Sequence, residues 1–166
     1  MAARKPIEAL DQTHAQALDH LRELQRLPDH LQLQGIDAAA RDTAARICAF
    51  FGNKARHHHA DEERYVFPPL LRSGDAELIQ QVRRLQQDHG WLEEDWLELS
   101  APLQAVADGY VGYEIEPLRR SIEVFAALLR EHIALEELVI YPEARQRLNE
   151  EKAADELRRR SIVAGR

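Results

Sequence analysis

Two stretches of this chain share one pattern. His58-His59-Ala60-Asp61-Glu62-Glu63-Arg64-Tyr65-Val66-Phe67-Pro68 recurs in outline as His132-Ile133-Ala134-Leu135-Glu136-Glu137-Leu138-Val139-Ile140-Tyr141-Pro142, a shift of 132 − 58 = 74 positions. Each copy reads His, three residues, Glu-Glu, two residues, an aliphatic, an aromatic and Pro. A His and a Glu four apart share one face of a helix. Two such helices, set against each other, bring two imidazoles and two carboxylates to one level of a core. Those residue types suit a pair of metal ions better than they suit packing.

The flanking sequence predicts helices throughout. The first runs from about Ile7 to Leu27, with Leu10, Ala17, Leu18, Leu21 and Leu24 on one stripe, and Pro28 and Gly35 in the loop after it. The second spans about Asp37 to Leu71, with Pro68-Pro69 disturbing its last turns. The turn at 72–75 ends in Asp75, a suitable N-cap. The third helix spans about Ala76 to Leu99, with a continuation past Pro102 to Val106 left open. The fourth starts near Glu114, tolerates Pro117 in its first turn and ends around Leu148. A short fifth helix, roughly Glu150 to Ser161, follows an Asn149 cap.

Four long helices on short loops predict an all-α fold, an antiparallel up-down-up-down four-helix bundle with a short C-terminal helix. The chain reads as one domain over 1–166, with the bundle at about 7–148 and an extension at about 149–166. With 7 Gly and 7 Pro in 166 residues, little room remains for a turn-rich β fold.

The first and third helices repeat as well. Leu10-Asp11-Gln12-Thr13-His14 matches Leu85-Gln86-Gln87-Asp88-His89, a shift of 89 − 14 = 75. The chain is therefore two copies of a helix pair. The candidate metal donors are His14, His58, Glu62, His89, His132 and Glu136, distributed over all four helices. Six side chains exceed what one tetrahedral ion needs. Two ions about 3.5–4 Å apart, sharing the carboxylates, use them naturally. Imidazole with carboxylate suits iron, manganese or zinc.

Three adjacent histidines leave a choice of register. The match of Pro68 to Pro142 selects His58 with Glu62, so His57 and His59 flank the stripe toward solvent or a neighbouring helix. Glu63 and Glu137 read as surface charges ahead of partners for the ligands. Tyr65 and Tyr141 lie near the His-Glu turns, as packed residues with satisfied hydroxyls or as redox-active ones.

These residues resemble the hemerythrin-like family, also called the HHE cation-binding domain, from His14 through Pro142. The resemblance implies a four-helix bundle around a non-haem di-iron centre, two irons with an oxo or hydroxo bridge and two bridging carboxylates. It implies His14, His58, His89 and His132 as terminal ligands and Glu62 and Glu136 as bridges. The chain departs from oxygen-carrying members, which have a second His four residues after the first on the third helix. Glu93 stands there, a candidate additional ligand or a solvated charge beside Glu94 and Asp95. The last carboxylate also sits at Glu136, one residue nearer its His than the Asp of those carriers, so the resemblance is to the wider bacterial group. Ferritin-like di-iron proteins use Glu-x-x-His. None of the 8 His here has a Glu three residues before it.

The expected function is binding or reduction of a small oxidant, O2, peroxide or NO. The alternatives are a non-catalytic iron or oxygen sensor or store, and a zinc-binding or structural bundle. Net charge of −7 argues against nucleic acid as a partner, and no apolar run is long enough for a membrane. The first six residues lack the apolar stretch of a signal peptide. With Cys48 as the one cysteine, no internal disulfide forms, and a cytoplasmic home is expected.

Overall fold

The computed structural model describes residues 7–164. Residues 1–6, read above as lacking a signal peptide, lie outside the described residues, as do 165 and 166. The described residues are helical apart from three short connections and contain no strand. They form four rods. The first is α1 (Ile7–Gln34). The second is a succession of α2 (Ala38–Ala49), a π-helical turn π1 (Phe50–Lys54), α3 (Ala55–Asp61), a second π turn π2 (Glu62–Val66) and α4 (Phe67–Leu71). The third is α5 (Ala76–Asp108). The fourth joins α6 (Ile115–Leu135), π3 (Glu136–Ile140) and α7 (Tyr141–Ala164). The first rod packs on the second and fourth, and the third packs on the same two, which is the ring of a four-helix bundle.

The turns follow from local chemistry. Asp37 caps α2 by accepting from Ala40 N, and Asp75 caps α5 by accepting from Glu77 N and Leu78 N, as its side chain suits. Gly109 ends α5 at φ 83°, a left-handed conformation that a β-carbon disfavours.

Two helix boundaries differ from expectation, and the continuation left open in the third helix is made. The first rod runs through Pro28 and the third through Pro102. Leu27, Pro28 and Leu31 are buried together, and that burial offsets the roughly 3 kcal/mol that an interior proline costs. No separate fifth helix follows Asn149, because α7 continues unbroken to Ala164. From residue 149 on, nearly every residue of α7 is exposed.

The π turns explain the repeated motif. Phe67 N donates to Glu62 O, and Tyr141 N donates to Glu136 O, each five residues back. Proline one residue later has no N–H, and its ring would collide with the carbonyl four residues back in a regular helix. Widening the preceding turn avoids that collision. The two motif copies therefore fold alike, from the Glu that opens the π turn to the aromatic that closes it. The additional turn π1 has no counterpart in the fourth rod, where α6 is regular throughout.

Apolar packing falls into two clusters. One holds Leu21, Leu24, Ile47, Phe51, Leu99, Leu103, Ile122 and Phe125 among others. The other, near the 72–75 turn, holds Leu10, Phe67, Leu70, Leu85, Ile140 and Tyr141. Between them lies a layer of buried polar side chains, including His14, His58, Glu62, Asp88, His132 and Glu136. The bundle thus has two oily cores separated by one polar slab.

Leu99→Ala, at a fully buried position, is expected to lower the unfolding free energy by about 2–5 kcal/mol. Deleting residues 150–166 should change it by less than about 0.5 kcal/mol, since the exposed stretch buries almost nothing. Denaturant titration of both variants measures the contrast.

Candidate metal centre

Each rod contributes to the polar slab. All six predicted donors, His14, His58, Glu62, His89, His132 and Glu136, are brought together, and they sort into two adjoining groups. His14, His58, Glu62 and Glu136 form one, and His59, Glu62, His89 and His132 form the other. Within each group, one donor atom per residue lies within 4.8 Å of the rest.

The carboxylates connect the groups. Glu62 Oε1 lies 3.0 Å from His58 Nε2, and its Oε2 lies 3.2 Å from His89 Nε2. Glu136 Oε2 lies 3.0 Å from His14 Nε2, and its Oε1 lies 3.1 Å from His132 Nε2. Each carboxylate therefore presents one oxygen to each group. Nε2 of His14 and His58 are themselves 3.0 Å apart. Ligand bonds of about 2.0–2.2 Å at right angles place neighbouring donor atoms about 3 Å apart. The observed spacings match that requirement.

Two of the outward ring nitrogens are held by acids. His89 Nδ1 lies 2.8 Å from Glu63 Oε1, and Gln86 Nε2 donates to Glu63 Oε2 at 2.8 Å. His14 Nδ1 lies 3.2 Å from Glu137 Oε1. His132 Nδ1 lies 3.5 Å from Asp88 Oδ2 without forming a hydrogen bond, and Nδ1 of His58 has no hydrogen-bond partner. Glu63 and Glu137, expected as surface charges, instead hold the imidazole contributed by the partner rod. A carboxylate on Nδ1 places the proton there and leaves the Nε2 lone pair facing the slab. The repeated second Glu of the motif was the available signal, because it recurs with the first.

His59 faces a neighbouring helix, one of the two orientations expected of it, and there joins a donor group that the expected ligand set left out. It stacks on His89 with ring centroids 4.1 Å apart and meets His132 edge-on at 5.6 Å. The reason is helical geometry: Glu62 is four residues from His58 and three from His59, and both spacings share a face. His57 remains exposed. Glu93 is in neither group. Its carboxylate pairs with Arg56 at 2.9 Å at the surface. Of those two tyrosines, Tyr65 is half-buried, and Tyr141 is fully buried with its hydroxyl against the slab.

The slab is electrostatically unsettled on its own side chains. Burial drives Glu62 up, but the charges and hydrogen bonds of His58, His89 and His59 hold it well below the usual carboxylate range. Glu136 is pushed up to about 8, by burial and by the Glu62 charge beside it. Burial and the neighbouring His89 hold His59 well below its usual value, so its ring is neutral. A divalent cation removes the conflict by allowing both carboxylates to ionise.

Orphaned atoms test the fit. Glu62 Oε2, both Glu136 oxygens and Nε2 of His89 and His132 are buried without a hydrogen-bond partner, their close contacts lacking the alignment of hydrogen bonds. An orphaned buried polar atom costs about 1–3 kcal/mol, and a charged one more. All of these atoms point into the slab. The donor set fits metal ions.

A cavity of about 570 Å³ reaches this slab from the surface. Phe50, Phe51, Trp96 and Phe125 line it, together with imidazoles of both donor groups, His14, His58, His59, His89 and His132. Residues of the turn π1 form part of its wall.

A profile of the hemerythrin HHE cation-binding domain matches residues 5–144. The chain belongs to this family. An uncharacterised protein of Haemophilus influenzae is 32% identical over 133 residues, covering 80% of this chain and 75% of that one. No solved structure matches the chain. Family and clusters together make this a metal-binding protein. No helix among the described residues is long and apolar enough to cross a membrane.

Glu63→Gln and Glu137→Gln are expected to weaken metal affinity by about 10–100-fold each while leaving the number of ions bound unchanged. Competition titration against a chelator, with metal analysis at saturation, tests this.

Proposed function

We propose that the chain is a non-haem di-iron protein that binds or reduces a small oxidant such as O2, peroxide or NO. The observation that carries this reading is the pair of carboxylates, each presenting one oxygen to either imidazole group. Two adjacent ions sharing two carboxylates require that geometry, whereas one ion would leave half of it unused. His14, His58, Glu62, His89, His132 and Glu136 are the proposed ligands, with His59 added by its position. Iron, manganese and zinc all suit the imidazole and carboxylate mixture, and the family resemblance favours iron among them. Two irons held there would supply one-electron redox chemistry to a bound oxidant.

The remaining residues set the conditions for that chemistry. Glu63 and Glu137 orient two imidazoles and raise their basicity. The oily clusters on either side limit water. The cavity wall of Phe50, Phe51 and Trp96 offers a small uncharged molecule a route to the slab, which a purely structural metal site would not need. An iron or oxygen sensor is the second reading. It is favoured by the spread of the donors over all four rods, because metal loss would then loosen every rod at once.

Iron analysis of the protein reconstituted under anaerobic conditions should return two irons per chain. His58→Ala and Glu62→Ala should both lower that number. One zinc per chain, with no iron taken up, would sink the di-iron reading. Turnover of peroxide or NO separates an enzyme from a sensor, which would bind its ligand without consuming it.

A further inference from the structure

The cavity is far larger than a diatomic oxidant requires. A molecule of water takes up about 30 Å³, and O2, NO or hydrogen peroxide has just one heavy atom more. The cavity offers about 570 Å³. Sites for whole organic molecules span about 300–1,000 Å³ and are walled by apolar and aromatic side chains.

The wall has that composition. Phe51, Trp96 and Phe125 are buried and brace one another. Ring centroids lie 5.3 Å apart for Phe51 and Trp96, 5.2 Å for Phe51 and Phe125, and 6.1 Å for Trp96 and Phe125. The charges along the lining are matched. Arg56 pairs with Glu93 at 2.9 Å, and Glu63 is held by His89 and Gln86. An aromatic wall with matched charges suits an uncharged ligand.

Two glycines keep the cavity open. Gly52 in π1 and Gly90 in α5 both line it, and both are exposed. Glycine inside a helix is destabilising relative to alanine. Neither residue has the left-handed backbone that would call for glycine. Neither is needed to avoid a clash. A β-carbon at Gly90 would meet nothing within 4 Å, and one at Gly52 would meet Trp96 Nε1 at 3.8 Å, an ordinary contact. A longer side chain at either position would stand in the mouth of the cavity. From these exposed glycines the lining leads to His58 and His132, which are buried.

We propose that the cavity binds an uncharged organic hydroperoxide, with its hydrocarbon along the wall of Phe51, Trp96 and Phe125 and its O–O group toward the imidazoles. The proposal rests on the di-iron reading above and names the class of oxidant for it. Hydrogen peroxide would leave the aromatic wall wetted, whereas a hydrocarbon buried there removes apolar surface from water. Reduction breaks the O–O bond. Two electrons, one from each of two ferrous ions, and two protons from solvent turn the hydroperoxide into an alcohol and water.

The probe is cumene hydroperoxide, with its alcohol, 2-phenylpropan-2-ol, as the unreactive stand-in. The chain has 2 Trp, and Trp91 is exposed, so Trp91→Phe leaves Trp96 in the cavity wall as the reporter. In the di-ferrous protein the alcohol should change Trp96 fluorescence saturably. Cumene hydroperoxide should oxidise both irons and yield its alcohol, half-saturating at least tenfold below hydrogen peroxide. Gly52→Leu and Gly90→Leu put a helix-favouring side chain into the mouth. Each should weaken alcohol binding at least tenfold and erase the preference for the organic hydroperoxide. Absence of saturable alcohol binding overturns the proposal, as do leucine variants that bind the alcohol like the parent. So does bound alcohol with cumene hydroperoxide consumed no more readily than hydrogen peroxide, the pattern of a cavity that serves another organic molecule. Fewer than two irons per chain defeats the di-iron reading and the proposed reduction with it, and the iron count alone identifies that failure.

Discussion

Everything in this fold is arranged around two glutamates buried where an uncompensated carboxylate is expensive. Glu62 and Glu136 are fully buried between two apolar clusters. The Glu62 charge raises the proton affinity of Glu136, and imidazoles from all four rods surround the pair. Neither removal to solvent nor mutual pairing is open to them. Two positive ions between them would turn this cost into an attraction, and the metal would then be part of the fold's cohesion. The oily clusters confine the polar layer to one level of the bundle.

The motif aromatic-Pro is the device that sets the glutamates' level. Proline forbids the regular hydrogen bond one residue after the aromatic, and the chain answers with an i to i+5 turn opened by the glutamate. π turns recur at functional sites because they reorient a side chain without ending the helix. Here they also decide what the closing aromatic touches. The glutamate and the aromatic become one local unit, which explains why the motif spans eleven residues when the donors alone would need five.

Much of this could be read from the sequence because the chain is a duplication. The 74-residue shift identified His58, Glu62, His132 and Glu136, and the companion shift found His14 and His89. The same logic hid His59. Its counterpart is Ile133, so a comparison that keeps only shared residues discards it, although three-residue spacing to Glu62 places it on the same face. Glu63 and Glu137 were harder to read, since a partly exposed glutamate looks like any surface charge until the imidazole from the partner rod is seen against it. Pro28 misled in the other direction. It punctuates in an isolated chain, but its burial in the bundle outweighs the local penalty. Asn149 had no such support either way, and the helix ran on through it.

A duplicated pair begins with interchangeable halves, and each later departure has a location that can be compared. The turn π1 and the imidazole of His59 lie on the second rod, and the phenol of Tyr141 lies on the fourth. The cavity is lined by residues of all four rods, with imidazoles of both donor groups among them. The departures therefore change what individual side chains offer the slab, while the shared His-x-x-x-Glu frame and its π turn stay in place in both halves.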